Sequence, residues 1–222
     1  DTLLRPMSEP IDMRDQVARS LADAPLVGVV RTSSREEALR QANLFMAHGI
    51  ELIEVTFTVP DALDLVRDLL ASRTQSAPPW VGMGTVTDLS RAEAAVEAGA
   101  EFLVSPNVSS VVSAVARRAG LFLVLGALTC TEIVEARYLG ADIVKVYPLP
   151  PVGGPAYLAT VRGPLGDVPM LAAGGFGVEE ISAYRRVGAS AFGIGAPLLG
   201  EDDEDTRERI ARALRLARGE ES

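Results

Sequence analysis

The feature that most constrains the fold is an alternation of short apolar runs with helical patterns, repeated eight times along the chain. Several helical patterns end at a glycine just before the next apolar run, as at His48-Gly49 and Leu139-Gly140. Glycine is favoured there because it adopts the left-handed conformation that closes a helix. Alternating strands and helices predict a parallel sheet, and eight units in about 200 residues predict a closed (β/α)8 TIM barrel. The expected strands lie at 26–31, 51–57, 80–86, 101–106, 121–128, 143–148, 169–175 and 191–197.

An open, doubly wound sheet is the alternative fold for this alternation. No G-x-G-x-x-G pattern follows the first apolar run, which disfavours that fold. Before this run, Met13, Val17 and Leu21 form one stripe at helical spacing. We therefore expect a single α/β barrel domain over residues 1–222, with residues 1–25 as a lead-in and an extra N-terminal helix.

The overall charge limits the class of partner. The formal net charge is −9 without an offsetting basic block, which argues against nucleic acid or an anionic membrane as partner. No apolar run approaches the roughly 18–20 residues of a membrane span, and the first residues lack the apolar region of a signal peptide. A single cysteine, Cys130, excludes an internal disulfide. We expect a soluble, cytoplasmic protein.

The acidic run Glu201-Asp202-Asp203-Glu204-Asp205 could suggest a metal site. It lies at the start of the last predicted helix, where negative charge interacts favourably with the helix dipole. A solvated helix cap is therefore the favoured interpretation, and we expect no metal.

Lys145 lies within the apolar run 143–148 and is the only lysine among 21 Lys and Arg residues. A guanidinium keeps its proton in proteins, whereas a buried amine can lose it and act as a nucleophile. The one retained amine therefore makes Lys145 a candidate covalent catalyst. The alternative is a surface lysine whose stem packs on an edge strand.

The parity of the strands predicts which side chains enter the barrel, because alternate residues point inward and functional groups lie at the carboxyl ends. In the run 51–57 the apolar residues of one parity suit the helix layer, which turns Glu54 inward. The run 143–148 turns Lys145 and Tyr147 inward in the same way. A charge inside a barrel is costly unless it is paired, so these groups indicate a functional site. A structural Glu54–Lys145 salt bridge is the alternative.

Three further strands extend this interior. The inward pairs expected from their alternation are Val29 and Arg31, Met83 and Thr85, and Leu103 and Ser105. On this basis Arg31, Glu54, Thr85 and Lys145 converge in one apolar-walled space.

Two glycine-rich segments follow the last two strands, Gly174-Gly175 and Gly193-Ile194-Gly195-Ala196. The loops after strands seven and eight of this fold commonly bind phosphate, and glycines let backbone N–H groups approach the phosphate oxygens. The alternative is that both segments are merely tight turns.

With these strand-end residues, the chain resembles a known family, the 2-keto-3-deoxy-6-phosphogluconate / 4-hydroxy-2-oxoglutarate aldolases. The resemblance covers roughly residues 25–200 and follows the order and spacing of the family's motifs. These motifs are Ile53-Glu54-Val55-Thr56, Gly82-Met83-Gly84-Thr85-Val86, Val104-Ser105-Pro106-Asn107, Val144-Lys145-Val146-Tyr147-Pro148, Gly174-Gly175 and Gly193-Ile194-Gly195.

The resemblance implies a (β/α)8 homotrimer that needs no cofactor and no metal. It implies that Lys145 forms the Schiff base and that Glu54 is the general acid and base. Thr85 and Pro106 match residues that contact the pyruvate half of the substrate, and Tyr147 stands where the family usually has Phe. The residues that match the phosphate site are Gly174, Gly175, Gly195 and Ala196.

Departures from the family pattern concern the substrate. Gluconate-type members have Arg, Thr and Ser where this chain has Thr58, Ala173 and Ala196. Arg31 on the first strand and the Pro106-Asn107 pair, together with the loop 154–157, are more similar to the 6-phosphogalactonate branch.

The resemblance thus implies a class I aldolase that cleaves a 2-keto-3-deoxy-6-phospho sugar acid to pyruvate and glyceraldehyde 3-phosphate. Within the class, 4-hydroxy-2-oxoglutarate is the alternative substrate. Outside it, the chain could be a phosphosugar isomerase or synthase in which Lys145 is only an electrostatic clamp, or a non-catalytic barrel that binds keto acids.

Overall fold

The computed structural model describes residues 12–73 and 77–220. Within these ranges eight parallel strands form a closed barrel in chain order, and the last strand pairs with the first, Phe192 opposite Leu26. The (β/α)8 barrel expected from the sequence is confirmed. The strands are β1 Leu26–Val30, β2 Leu52–Thr56, β3 Trp80–Gly84, β4 Phe102–Ser105, β5 Phe122–Ala127, β6 Ile143–Val146, β7 Met170–Ala173 and β8 Ala191–Ile194.

Helices connect the strands, and α1 precedes β1 as expected. In the described ranges no helix is long and apolar enough to cross a membrane. The connection from β7 to β8 begins with a 3-10 turn, Val178–Glu180, before α8. The helices are α1 Met13–Asp23, α2 Arg35–Ala47, α3 Ala62–Ala71, α4 Leu89–Glu97, α5 Ser110–Ala119, α6 Cys130–Tyr138, α7 Gly154–Arg162, α8 Ile181–Arg186 and α9 Asp203–Arg218.

The helix ends follow the sequence signals. Gly49 and Gly140, which follow α2 and α6, have φ values of 90° and 91°. At the start of α9, the Asp202 carboxylate accepts a hydrogen bond of 2.8 Å from the backbone N–H of Asp205. The acidic run therefore caps this helix, and no His, Cys, Asp and Glu side chains of the described chain cluster as metal ligands would.

Two apolar layers surround the strands. The outer layer lies between the barrel and its helices and includes Ile53 and Val144. The inner layer fills the barrel with the opposite parity, and Val17 and Leu21 of α1 pack against it. The α1 helix thus covers the amino-terminal end of the barrel. The strand residues of the inner layer are Val27, Leu52, Trp80, Phe102, Val104, Phe122, Val124, Ile143, Leu171, Ala173 and Ala191.

The inward parity expected for β3 and β4 is wrong. Met83 and Leu103 belong to the outer layer. The fully buried Ser105 shares the parity of Leu103. The inward residues are Trp80 and Gly82 on β3 and Phe102 and Val104 on β4. A Cβ placed on Gly82 would lie 2.5 Å from the Phe102 ring. Thr85 suggested the wrong parity because its φ of 60° interrupts the alternation just after β3 ends.

The contact between α1 and the barrel gives a test of this packing. The buried indole N–H of Trp80 donates a hydrogen bond of 2.9 Å to the Ser20 hydroxyl. Ser20→Ala would leave this N–H buried without its partner, so we expect the free energy of unfolding to fall by about 1–3 kcal/mol. The exposed Ser90→Ala is the control and should change it by less than about 0.5 kcal/mol in urea denaturation. Equal effects of the two variants would contradict the account.

Candidate active site

A buried amine and a buried carboxylate face each other across the barrel. Glu54 lies on β2 and Lys145 on β6, four strands apart in the closed order, and they are only 2% and 8% exposed. Lys145 Nζ lies 3.5 Å from Glu54 Oε1. Both side chains point into the interior above the inner apolar layer. Their opposite charges offset part of the free energy that burial of each alone would require.

Space for the Glu54 carboxylate comes from Gly84 at the end of β3. A Cβ on Gly84 would lie 2.1 Å from Glu54 Oε1, so no larger residue fits there without moving the carboxylate. Within the part of the chain that is described, Glu54 Oε1 is buried and accepts no hydrogen bond. A buried carboxylate oxygen without a hydrogen bond is costly, and is available to bind a hydroxyl group or a water molecule.

A second glycine makes room beside Lys145. Gly126 on β5 pairs with Lys145, and a Cβ on it would lie 2.2 Å from the backbone carbonyl of Pro106. The chain after β4 therefore passes directly over β5 next to the lysine. This contact brings Pro106 to the mouth of the barrel.

Tyr147 forms the outer wall near the amine. Lys145 Nζ lies 5.5 Å from the centre of its ring, and the tyrosine is 40% exposed. The ring therefore separates the buried amine from solvent on one side while leaving it reachable from the other.

A cavity of about 300 Å³ opens at the carboxyl ends of the strands and reaches Lys145. Gly174 and Gly175, in its wall, have φ values of 130° and 90°, which favour glycine strongly. A Cβ on Gly195 would lie 2.6 Å from the carbonyl oxygen of Val29. The residues lining the cavity are Val29, Arg31, Lys145, Tyr147, Ala173, Gly174, Gly175, Gly193, Gly195, Ala196 and Pro197.

Arg31 lies in the wall of this cavity and contacts two threonines. Its Nη1 donates to Thr58 Oγ1 at 3.4 Å, and its Nη2 donates to Thr85 Oγ1 at 3.3 Å. Thr58 in turn lies 2.8 Å from Thr56 Oγ1, which donates to the carbonyl of Val30 at 3.0 Å. The guanidinium is thus directed into the mouth of the barrel by hydroxyl groups of neighbouring strands.

The structure therefore places the residues of the expected site at the carboxyl end of the barrel, although Glu54, Thr85 and Pro106 are not among those that line the cavity. Glu54 contacts Lys145, and Thr85 contacts Arg31. Sequence reasoning missed the roles of Thr58, Gly84 and Gly126. The signal for Thr58 was its spacing of two from Thr56, which keeps the same parity at the strand end. The sequence gives no such indication for Gly84 and Gly126. Their roles depend on which side chain or backbone segment packs against them in the folded chain.

A larger cleft of about 510 Å³ lies on the outer surface between the Gly177 turn and α9. Its Arg209 and Arg212 form ion pairs of 3.0 and 2.5 Å with Asp205 and Glu179. Because its arginines are already paired with carboxylates and Lys145 does not line it, the smaller cavity is the candidate active site.

A TIM barrel with a buried lysine beside a carboxylate at its carboxyl end is suited to imine chemistry on a keto acid. The family model described as KDPG and KHG aldolase matches residues 17–213. The chain belongs to this aldolase family.

Named relatives cover almost the whole chain. A probable 2-dehydro-3-deoxy-6-phosphogalactonate aldolase of Rhizobium meliloti (strain 1021) is 29% identical over 203 residues, 90% of this chain and 94% of the relative. A KHG/KDPG aldolase of Escherichia coli (strain K12) is 27% identical over 198 residues, 89% and 91% of the two chains. The crystal structure of a 4-hydroxy-2-oxoglutarate/2-dehydro-3-deoxyphosphogluconate aldolase from TTHB1 has a TM-score of 0.78 and 30% identity, and covers 94% of this chain and 100% of that one.

The contact between Gly84 and Glu54 predicts a sensitive position. Gly84→Ala must displace the Glu54 carboxylate, and a misplacement of about 1 Å can lower turnover about 10²-fold. Gly166→Ala is the matched control, because its methyl group would meet nothing closer than 3.9 Å. Both variants should fold, as judged by circular dichroism. Full aldolase activity in Gly84→Ala would contradict the proposed placement of Glu54.

Proposed function

We propose that this chain is a class I aldolase that cleaves a 2-keto-3-deoxy-6-phospho sugar acid to pyruvate and glyceraldehyde 3-phosphate. The observation that supports this most strongly is the 3.5 Å approach of Lys145 Nζ to the buried Glu54 carboxylate. The amine can supply a covalent bond, and the carboxylate can move protons next to it.

In the first step the ammonium group of Lys145 passes one proton to the adjacent Glu54 carboxylate, and the neutral amine adds to the C2 keto carbon of the substrate. Glu54 returns this proton to the C2 oxygen, which leaves as water, and an iminium links the substrate to the enzyme. The iminium nitrogen then accepts electrons from the bond to be broken.

In the second step Glu54 takes the proton of the C4 hydroxyl, and the C4 oxygen becomes a carbonyl. The electron pair of the C3–C4 bond moves into an enamine, and the aldehyde leaves. Protonated Glu54 returns its proton to C3, and water hydrolyses the iminium to release pyruvate and the amine. One buried carboxylate thus acts as base and then as acid.

The remaining residues bind the two ends of the substrate. Thr85 and Pro106 orient the pyruvate half, and Tyr147 packs beside the amine. Arg31 supplies a cation at the phosphate end. Backbone N–H groups of the glycine-rich loops bind the phosphate there, and these loops contribute Gly174, Gly175, Gly195 and Ala196.

Two features favour the phosphogalactonate type of substrate. Arg31 lies in the cavity wall, and Thr58 supports it from the position where gluconate-type members carry their own arginine. Ala196 cannot donate a side-chain hydroxyl, however, and the Escherichia coli relative is named for both KHG and KDPG. Unphosphorylated 4-hydroxy-2-oxoglutarate, cleaved to pyruvate and glyoxylate, is therefore the second candidate.

We also propose that the chain acts as a homotrimer in the cytoplasm, in sugar-acid breakdown of the Entner–Doudoroff type. Large apolar side chains are exposed on neighbouring helices of one side of the barrel: Leu89 on α4, Val111 on α5 and Tyr138 on α6. Such side chains are suited to burial between subunits. The mass of the protein in solution tests the oligomeric state.

Glu54→Gln tests the proposed acid and base. The amide keeps the shape of the carboxylate but cannot exchange the C4 proton, so kcat should fall by about 10²–10⁴-fold. Pyruvate release is measured through lactate dehydrogenase and NADH. Glu97→Gln, an exposed change on α4, is the control and should retain the original rate. Unchanged turnover in Glu54→Gln would remove Glu54 from the mechanism.

The substrate is tested with a panel of phosphorylated gluconate and galactonate keto acids beside 4-hydroxy-2-oxoglutarate. We expect kcat/KM to be highest on a phosphorylated substrate. Arg31→Gln should lower that value about ten- to a hundredfold, because a charged hydrogen bond to phosphate is lost. The same variant should change kcat/KM for 4-hydroxy-2-oxoglutarate much less. Equal effects on both classes, or a preference for the unphosphorylated acid, would refute the phosphate assignment.

A further inference from the structure

Thr85 is held in an unfavourable backbone conformation. Its φ of 60° lies in the left-handed region, which β-branched residues avoid. Such a conformation is strained and persists only where the surrounding residues fix it. This conformation ends the alternation of β3 and lets Thr85 Oγ1 accept a hydrogen bond from Arg31 at 3.3 Å. The strained backbone therefore positions the Thr85 hydroxyl in the site.

The group that fixes this conformation is the guanidinium of Arg91 in the first turn of α4. Its Nη1 donates to the backbone carbonyl of Thr85 at 3.3 Å and to Thr87 Oγ1 at 3.0 Å. Its central carbon lies 5.4 Å from the centre of the Phe57 ring, in the loop after β2. The backbone N–H of Arg91 is in turn held by the Asp88 cap at 3.0 Å. One side chain thus ties the strained carbonyl to two loops.

We infer that Arg91 is a positioning residue of the reaction, which acts by holding Thr85 in its left-handed conformation. This inference rests on the proposed function, in which Thr85 orients the pyruvate half of the substrate. Neither Arg91 nor Thr85 is among the described residues that line the cavity, but Thr85 contacts Arg31 in the cavity wall and Arg91 contacts the Thr85 carbonyl. The effect of Arg91 therefore passes through Thr85. Without Arg91, the Thr85 backbone relaxes toward extended conformations, and its hydroxyl leaves Arg31 and the keto acid.

The test uses the half-reaction with pyruvate alone. An enamine formed on the enzyme exchanges the C3 protons of pyruvate with deuterated solvent, and NMR follows this exchange. Arg91→Met should raise the KM for pyruvate about 10- to 10²-fold and change kcat less, because orientation is lost while Lys145 and Glu54 remain. Arg91→Lys should recover part of the affinity, since its amine can still donate to the Thr85 carbonyl.

Arg67→Met on α3 is the matched control. Among the described residues Arg67 pairs only with Asp64 of its own helix, so its removal should leave both constants unchanged. A double-mutant cycle then tests whether Arg91 affects the pyruvate KM through the Thr85 backbone. Glycine adopts the left-handed conformation without strain. In a Thr85→Gly background Arg91→Met should therefore add little further loss.

Three results would overturn the inference. The first is an unchanged pyruvate KM in Arg91→Met. The second is a fall in kcat at constant KM, which indicates loss of folded enzyme. The third is a rise in the pyruvate KM for the double variant that equals the product of the rises in Arg91→Met and Thr85→Gly. Arg91 would then act independently of the Thr85 backbone. If the unmodified chain fails to exchange pyruvate protons at all, the proposed function fails instead.

Discussion

The structure depends on one close approach, that of Lys145 to Glu54 across the carboxyl end of the barrel. Neither charge is stable alone at such burial, so each requires the other or a substrate. Gly84 leaves the volume that the carboxylate occupies. Gly126 does the same for the chain segment at Pro106, beside the strand that carries the lysine. Gly84 and Gly126, which have no side chains, thus leave the space that the reactive pair and its neighbouring segment require.

The two ends of the barrel serve different purposes. At the amino-terminal end, α1 and Trp80 pack against the inner apolar layer and leave the carboxyl end as the face that carries the cavity. At that face, hydroxyl groups of Thr58 and Thr85 direct Arg31, while Gly174 and Gly175 after β7 line the same cavity. Most of the site is therefore built from strand ends and from the first residue or two after them. Such positions hold side chains more precisely than long loops do.

Much of the fold and part of the site could be predicted from the sequence. The repeated strand–helix alternation predicted the barrel, and the parity of β2 and β6 predicted that Glu54 and Lys145 point inward. The parity of β3 could not be predicted in this way, because the left-handed Thr85 interrupts the alternation just after the strand. The parity expected for β4 is also wrong, because its inward residues are the apolar Phe102 and Val104 and not Ser105. Contacts such as those of Thr58 and Arg91 depend on the rotamers of long side chains, on which periodicity carries no information.

The central claim is that Lys145 bonds covalently to the keto acid. The most direct test is reduction with borohydride in the presence of pyruvate, followed by peptide mass analysis, which is simple because the chain has one lysine. We predict a reduced pyruvyl adduct on the peptide with Lys145, and neither adduct nor pyruvate release in Lys145→Arg. An active enzyme with unmodified Lys145, or appreciable activity in Lys145→Arg, would contradict the account and favour a lysine that acts only by its charge.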